Sequence, residues 1–298
     1  VIPSNKAVYS ISSLTLGQGA ALTVNGTLNI AKNLLLQSGV AGTGSLIDNG
    51  TVTVGGNTTI ERYYAASPAW HLISSPISNG LAEIYNGMYL QGYNEPTAQW
   101  IDIINPADPL VPAQGYALWN AVPGTYQYIG SRNTGNVSIP VTNGQQYGWN
   151  LLGNPYPSSL DWNLVAASNP AINGAVYYLE AATGNYKSYN GGMGGGSQYV
   201  PPMQGFFVSA ANAGTFQVNN TMRTHLGQNN YYKSDFENLL VLKAEGNDYS
   251  DATYLRFDEL ATAAFDGQYD AYKLLSDFNE ELPQIYTRSS DVNFSINV

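Results

Sequence analysis

The sequence repeats part of itself, and this internal repeat is the feature that most restricts the fold. The stretch "PAQGYALW", which begins at Pro112, returns as "PMQGFFVS" at Pro202, 90 residues later. The same interval separates "GTYQ" at Gly124 from "GTFQ" at Gly214. A chain with two such copies is expected to build two related substructures rather than one irregular domain.

Each copy also contains a tryptophan followed by a short apolar run and a proline. Trp70 opens "WHLISSP" and Trp149 opens "WNLLGNP", 79 residues later. Because this interval is shorter than 90 residues, the second copy must contain an insertion, between Pro155 and Tyr177. We predict that the two tryptophans are buried in equivalent places, with the prolines fixing the turns that follow.

The secondary structure predicted for both copies is β. Strand-like apolar runs alternate with Asn-Gly turns, proline stands beside the runs, and helical periodicity is nearly absent. Residues 63–235 are therefore predicted to form a pseudo-symmetric β-sandwich that arose by internal duplication.

Residues 1–62 show a different rhythm, with very short strands and no helix signal. Two conformations fit this rhythm, a β-solenoid or β-helix-like segment and an ordinary antiparallel meander. We predict the solenoid, docked onto the sandwich, with a first rung whose unpaired backbone could support self-association. The alternating apolar positions that carry this prediction are Leu14, Leu16, Leu22, Val24, Leu28 and Ile30.

Residues 236–298 change character again and predict a smaller C-terminal β-sandwich-like module. Strand candidates include "ENLLVLKAEG", "ATYLRFD" and "DVNFSINV". The last run stops in the middle of its pattern, so we expect more domains to follow in the full protein. The predicted fold class is all-β throughout.

Composition excludes several functional classes. Only 11% of the 298 residues are charged, and the formal net charge is −10, so bulk attraction to nucleic acid is not expected. There is no cysteine, which removes disulfides, thiolate nucleophiles and cysteine zinc sites. No apolar run reaches the length of a membrane span.

Catalytic motifs are also missing, and we predict no enzyme activity, no catalytic residue, no metal site and no cofactor. The two histidines, His71 and His225, belong to no zinc motif, and no G-x-S-x-G elbow is present. A hydrolase with two facing carboxylates remains an alternative, because such groups can come from anywhere in the chain. Its candidates are Glu95, Asp102, Asp108, Asp161 and Glu180.

One acidic stretch leaves calcium binding open. Asp248, Asp251 and Asp258 lie close together in "EGNDYSDATYLRFDE", and calcium prefers oxygen ligands of this kind. The spacing is not that of an EF-hand loop, and acidic loops are usually solvated.

Carbohydrate binding is the specific activity that the composition favours most. Trp100 and Trp119 stand where the second copy has other residues, and Tyr93 lies on the same stretch as Trp100. Residues that depart from the repeat are less constrained by the shared core, so we predict these three rings as an exposed ligand-binding surface. The alternative is that they cover the sandwich or pack against the third module.

Several phrases resemble the C-terminal portion of large Bacteroidetes surface proteins exported by the type IX secretion system. They are "ERYY…WHLISSPIS", "GWNLLGNPYPSSLDW", "MQGFFV" and "ATAAFDGQYDAYKL…PQIYT". The resemblance implies a secreted or cell-surface location. It implies little about activity, because this region accompanies both adhesins and hydrolases. The sorting domain that ends such proteins is absent from the sequence before Val298.

These observations together predict a non-catalytic extracellular segment that acts in adhesion or as a structural module, with a glycan or protein partner at the cell surface. Two further alternatives stay open beside the hydrolase named above. One is a carbohydrate-binding module of a polysaccharide-degrading enzyme, and the other is a subunit of a surface assembly or filament.

Overall fold

The structure is a computed structural model that describes residues 1–4, 9–65, 69–120, 122–227, 236–246, 248–262, 264–278 and 281–298. Within these ranges strands are the main secondary structure and helix is nearly absent. The strands form several sheets and no closed barrel, which confirms the predicted all-β class. Helical structure in the same ranges is one α-helix, α1 (Trp162–Ala167), and three 3₁₀ turns, Ala82–Tyr85, Glu95–Thr97 and Asn220–Met222. No described helix is long and apolar enough to cross a membrane.

The first ten strands form a stack, called here the N-terminal stack. Three sets of strands pair in parallel, β1 with β4 and β9, β2 with β5 and β10, and β3 with β8. β6 and β7 form a small antiparallel pair. The strands are β1 (Tyr9–Ile11), β2 (Leu14–Leu16), β3 (Ala21–Val24), β4 (Thr27–Ile30), β5 (Leu34–Leu36), β6 (Ser38–Gly39), β7 (Gly42–Thr43), β8 (Ser45–Asp48), β9 (Thr51–Val54) and β10 (Thr58–Tyr64).

Side chains of successive turns of the stack lie directly above one another. The Asn49 side-chain amide donates to Asn25 Oδ1 over 3.0 Å, and these residues are 24 positions apart. The Asn57 backbone N–H donates to Asn33 Oδ1 at the same separation of 24. The inward side chains are apolar and buried, so each turn adds a layer to one continuous core. The main members of that core are Leu28, Ile30, Leu34, Leu36, Leu46 and Ile60.

The chain then builds a four-stranded antiparallel sheet in the order β11-β14-β12-β13. β15 lies outside this sheet and pairs with the last strand of the stack. The strands are β11 (Ala69–Ile73), β12 (Tyr89–Asn94), β13 (Gln99–Asp102), β14 (Tyr116–Asn120) and β15 (Gly124–Ile129). We call residues 58–132 unit 1.

Strand β10 belongs to both regions. Its residues Thr58 to Ile60 pair in parallel with β5 of the stack. Its residues Thr59 to Tyr64 pair antiparallel with β15. The predicted domain boundary at residue 62 therefore falls inside a strand that joins the two regions.

A second set of strands follows, and residues 137–224 are called unit 2. Its main sheet has the order β17-β23-β19-β20-β21, β16 pairs with β24, and β22, β18 and β25 form a small third sheet. The strands are β16 (Val137–Val141), β17 (Trp149–Gly153), β18 (Ser159–Asp161), β19 (Ile172–Glu180), β20 (Asn185–Asn190), β21 (Met193–Gly194), β22 (Tyr199–Val200), β23 (Gly205–Ala210), β24 (Gly214–Val218) and β25 (Arg223–Thr224).

The strand orders of the two units correspond. The order β11-β14-β12-β13 matches β17-β23-β19-β20, and the pair β10–β15 matches β16–β24. Trp70 pairs with Trp119 in unit 1, as Trp149 pairs with Ser209 in unit 2. The two repeated tryptophans thus lie in corresponding strands. Both are half-buried, however, where the sequence predicted fully buried rings.

The C-terminal strands form a sheet in the order β26-β27-β30-β28, and β29 pairs with β30. β27 and β30 run parallel, and the other pairs are antiparallel. The strands are β26 (Leu239–Gly246), β27 (Tyr249–Arg256), β28 (Ala271–Tyr272), β29 (Thr287–Ser289) and β30 (Val292–Asn297).

Three apolar cores hold the described regions together. The first joins the N-terminal stack to unit 1, and the second lies within unit 2. The third contains residues of both main sheets and of the C-terminal strands, for example Leu72, Phe207 and Ile296. Two of the predicted aromatic site residues, Tyr93 and Trp100, lie at the edge of this third core.

Candidate binding surface

Tyr93 and Trp100, two of the predicted ligand-binding residues, are neighbours. They pair across β12 and β13, and their ring centroids are 5.2 Å apart with an edge-to-face angle of 69°. Both rings also approach Phe207 of unit 2, at 5.1 Å for Tyr93 and 5.9 Å for Trp100. Such T-shaped contacts are the favoured geometry of aromatic pairs.

Trp119, the third predicted residue, lies elsewhere in the same row of rings. Its ring centroid is 5.5 Å from that of its cross-strand partner Trp70. Phe278, from the C-terminal region, bridges the two pairs, because its ring lies 5.7 Å from Trp70 and 5.8 Å from Trp100. The resulting aromatic row is Trp119, Trp70, Phe278, Trp100 and Tyr93.

The burial of this row bears on both interpretations of the tryptophans. Tyr93, Trp100 and Trp119 are all half-buried and pack at the edge of the third core or beside it. Part of each ring stays open to solvent. Of the three rings, Trp100 is the one that Phe278 contacts. Packing against the C-terminal region was the alternative named above for these rings, but which residue would reach them, Phe278, was not predictable from the sequence.

A surface cleft of about 530 Å³ opens beside Tyr93. It lies between β12 and β13 of unit 1 and β16 and β17 of unit 2, and we call it the Tyr93 cleft. Its floor is apolar, formed by Ile101, Ile103, Ile139, Leu151 and Leu152. Its polar lining residues are Tyr93, Asn94, Glu95, Gln114, Thr142 and Asn150. Among the described residues, no lysine or arginine lines the cleft.

Glu95 anchors one wall of this cleft. The backbone N–H groups of Gly144 and Gln145 donate to its carboxylate over 2.8 Å and 2.7 Å. Burial raises the pKa of Glu95, but the hydrogen bonds from Thr142, Gly144 and Gln145 outweigh burial and lower the pKa below its ordinary value. A carboxylate held in its charged form by backbone donors serves to fix the wall rather than to act as an acid.

A second cleft, of about 600 Å³, lies where unit 2 meets the C-terminal region. It is rich in amides, but these amides are already engaged. The Asn169 side chain donates to the Val165 and Gln217 carbonyls, and Asn190 donates to the Asp270 carbonyl over 2.9 Å. These side chains shape the wall of the cleft and have fewer hydrogen bonds to offer a ligand.

The two histidines lie in structural surroundings. His71 is on β11, with its ring centroid 4.8 Å from that of Tyr64. His225 lies between two hydroxyls of the N-terminal stack, with Nε2 2.9 Å from Thr23 Oγ1 and Nδ1 2.7 Å from Ser45 Oγ. Burial and the nearby Arg223 lower the pKa of His225 below 6.5. His225, which directly follows unit 2, therefore contacts the stack through both of its ring nitrogens.

Asp48 adds two ion pairs to the same junction. Its carboxylate accepts from Arg223 over 2.6 Å and from Arg132 over 3.0 Å. Arg223 also donates to Ser158 Oγ and lies 4.6 Å over the ring of Tyr156. The stack, unit 1 and unit 2 therefore share one buried carboxylate.

The phrase "GNPYPSSLDW" forms scaffold in this structure. The Asn154 amide donates to the carbonyls of Ser158, Val200 and Pro201. The Tyr156 hydroxyl donates to the Gly135 carbonyl over 2.6 Å. Trp162 is fully buried, and its Nε1 donates to the Gly174 carbonyl over 2.7 Å. None of these groups faces a cleft as a ligand platform would.

The two copies of the P-x-Q-G phrase hold the units to each other. The Ser74 N–H donates to the Met203 carbonyl over 2.9 Å, and the Gly153 N–H donates to the Ala113 carbonyl, also over 2.9 Å. Met203 and Ala113 are 90 residues apart and share a left-handed backbone, with φ values of 58° and 64°. The joint is therefore reciprocal, as in a contact with two-fold symmetry.

The acidic candidates each have a structural partner. Asp102 accepts from Gln91, Asp108 from Asn105, Asp161 from Asn163 and Gln198, and Glu180 from Thr183. In the calcium stretch, Asp251 pairs with Lys273, and Asp258 pairs with Arg256 over 2.7 Å. Among the described residues, no cluster of three acidic or histidine side chains could hold a metal ion.

A comparison with known protein families finds one family model that matches most of the chain. Residues 3–191 match the family described as "Domain of unknown function (DUF8693)". The chain belongs to this family. The match begins in the N-terminal stack, covers unit 1 and extends through most of the main sheet of unit 2. No curated protein and no solved structure matches the sequence.

Proposed function

We propose that this chain is a non-catalytic extracellular segment of an exported surface protein, acting as a structural and adhesive module. The observation that carries the proposal is the reciprocal joint, in which Ala113 and Met203 each accept from the opposite unit. Repeated motifs that would be expected to line a repeated active site are used instead to lock two units together. A module built for rigidity suits a role in holding other parts of a surface protein in place.

The finer architecture belongs to the same proposal. We interpret the N-terminal stack as a short β-solenoid and the two units as a pseudo-symmetric β-sandwich produced by duplication. The C-terminal strands are interpreted as a smaller β-sandwich-like module. The parallel pairing at a separation of 24 residues supports the first interpretation, and the matching strand orders support the second. The resemblance to type IX-exported proteins supplies the proposed location.

Labelling of intact cells tests this location and role. Antibodies raised against the purified chain should bind intact cells of the source organism without permeabilisation. An in-frame deletion of the coding segment should reduce surface attachment and leave growth in liquid culture unchanged. Labelling that requires permeabilised cells, or attachment that is unaffected by the deletion, would contradict the proposal.

A second candidate function, binding of a neutral glycan, is favoured by the Tyr93 cleft. A sugar has an apolar face that packs on rings and aliphatic side chains, and hydroxyls that need amide and hydroxyl partners. The cleft combines an isoleucine- and leucine-lined floor with Tyr93, Asn94 and Gln114 at its sides. The equivalent of Gln114 in unit 2, Gln204, donates its amide to the Leu72 and Gly205 carbonyls instead.

A glycan array followed by titration tests this candidate. Tyr93→Ala should weaken binding of a glycan hit by about tenfold, the loss expected for one ring contact. Tyr89→Ala is the matched control, because Tyr89 is 72% exposed on the same strand and does not line the cleft. Equal effects of the two substitutions, or an array without any hit, would contradict the hypothesis that this cleft binds a glycan.

A further inference from the structure

A buried pair of opposite charges lies in the C-terminal sheet, away from the aromatic row and the clefts. Lys273 Nζ is in direct contact with Asp251 Oδ2, and each side chain is only 2% exposed. Asp251 is on β27 and Lys273 directly follows β28. Both strands pair with β30, so the two side chains meet across that strand.

Burial disfavours the charged form of the lysine in this pair. Taking an ammonium and a carboxylate out of water is costly, and proton transfer within the pair would give a neutral amine and a neutral acid. Burial lowers the pKa of Lys273, and nearby Lys187 lowers it further, against the opposing effect of Asp251. A desolvated lysine of this kind is a nucleophile.

The carboxyl group is also positioned and polarised. The Ile285 backbone N–H donates to Asp251 Oδ2 over 2.8 Å, the same oxygen that Lys273 contacts. Thr253, two residues further along the same face of β27, is fully buried. A nucleophile, an electrophilic carbon and a backbone donor are thus held together in an interior from which water is excluded.

We propose that Lys273 and Asp251 form an intramolecular isopeptide bond. In the balanced step, a proton passes from Lys273 Nζ to the Asp251 carboxylate, and the neutral amine attacks Cγ. The Nζ–Cγ bond forms and one Cγ–O bond breaks. The departing oxygen takes the second proton from Nζ and leaves as water. No oxidant, reductant or other reactant is needed.

The bond would link β27 to β28 across β30 and close a loop between residues 22 positions apart. A covalent closure of this kind restricts the unfolded chain as a disulfide does. This sequence contains no cysteine and has no disulfide to serve that purpose. The proposal depends on the geometry of the pair and does not depend on the adhesive role proposed above.

Intact-mass spectrometry of the denatured full chain tests the bond. The wild-type mass is expected to be lower than the sequence mass by one water molecule. Lys273→Arg and Asp251→Ala should each restore the sequence mass. Lys243→Arg is the matched control, because Lys243 forms an exposed pair with Glu245 on β26, and this variant should keep the loss of water.

Peptide mapping separates this bond from another reaction that also releases water. Succinimide formation at Asp266–Gly267 would give the same mass change, so the digest must yield a branched peptide joining residues 251 and 273. A wild-type chain at its full sequence mass overturns the proposal. So does a loss of water that persists in Lys273→Arg. The wild-type digest decides the matter even where a variant fails to fold.

Discussion

Units 1 and 2 share a strand order and a joint, yet they complete their cores in different ways. Unit 1 shares its core with the N-terminal stack, and its buried tyrosine hydroxyls, Tyr64, Tyr85 and Tyr128, form a hydrogen-bonded cluster. Unit 2 has a core of its own, in which α1 places Trp162 against Phe206 at a centroid distance of 5.3 Å. The insertion in the second copy therefore supplies the apolar residues that complete the core of unit 2, as the stack does for unit 1.

This difference shows which part of the repeat is constrained. The reciprocal turn contacts at Ala113 and Met203 are kept in both units, down to the left-handed backbone. The elements that cover the two cores, the stack for unit 1 and α1 for unit 2, are free to differ, because each core needs only apolar side chains packed against it. Substitutions at the joint should therefore change stability to a similar extent in the two units. Substitutions in the elements that cover the two cores should change it to different extents.

Trp162→Ala should have the largest effect. Removing a fully buried tryptophan leaves a cavity and an unpaired Gly174 carbonyl, which should cost roughly 3–5 kcal/mol of unfolding free energy. Urea denaturation measures this cost. Trp100→Ala, at a half-buried ring, should cost clearly less, and equal costs would mean that α1 does not complete the core of unit 2.

Arg223→Met should come second, because it leaves the buried Asp48 with one arginine instead of two. Loss of a partner from a buried ion pair costs about 3–5 kcal/mol, and the Arg223 side chain is 0% exposed. Arg132→Met is the comparison, since its side chain is 12% exposed and it binds the same carboxylate. A larger destabilisation by Arg132→Met would mean that Arg132, and not Arg223, is the more important partner of Asp48.

Gly115→Ala and Gly205→Ala test the joint itself. An added Cβ would lie 2.3 Å from the Leu152 carbonyl oxygen at Gly115, and 2.8 Å from Ile73 backbone atoms at Gly205. Overpacking of this kind costs about 1–3 kcal/mol. Both variants should lower the melting temperature. Gly246→Ala, where the Cβ meets nothing within 4 Å, is the control, and an unchanged melting temperature in only one variant would show that the joint is not symmetric.

The pH dependence of His225 should give the smallest effect. Its folded pKa lies below the ordinary 6.5, so the unfolded chain binds the proton more readily. The stability contributed by the neutral ring is complete above about pH 6.5 and is lost as pH falls from there toward the folded pKa. His225→Gln should make the melting temperature depend less on pH in this window. If the melting temperature of the variant falls with pH as steeply as that of the wild type, His225 is not the source of the pH dependence.

Much of the fold could be predicted from local patterns. Alternating apolar residues and Asn-Gly turns predicted the β class. The repeated phrases that begin at Pro112 and Pro202 indicated which strands correspond. The spacing of the stack was available too, because "NGT" at Asn25 returns at Asn49. That spacing, 24 residues, is the parallel register of β3 with β8, β4 with β9 and β5 with β10. The first turn is shorter, because Tyr9 pairs with Leu28 and Leu14 with Leu34.

The candidate site was less predictable, because its character depends on contacts between distant segments. Phe278 lies far along the chain from Trp70 and Trp100, and no periodicity connects them. The burial of Asp251 depends on strand order, and its partner Lys273 lies beyond β28. A repeat analysis finds residues that differ between copies, but only packing decides whether such a residue faces solvent or a neighbouring region.

The sharing of β10 has a mechanical consequence. The covalent path for tension between the N-terminal stack and unit 1 runs along the axis of this strand, because the strand itself connects them. Its hydrogen bonds to β5 on one side and to β15 on the other lie across that axis, so they are loaded in shear and must break together rather than one after another. A flexible linker at the same point would have yielded first, whereas this junction resists until several bonds fail at once.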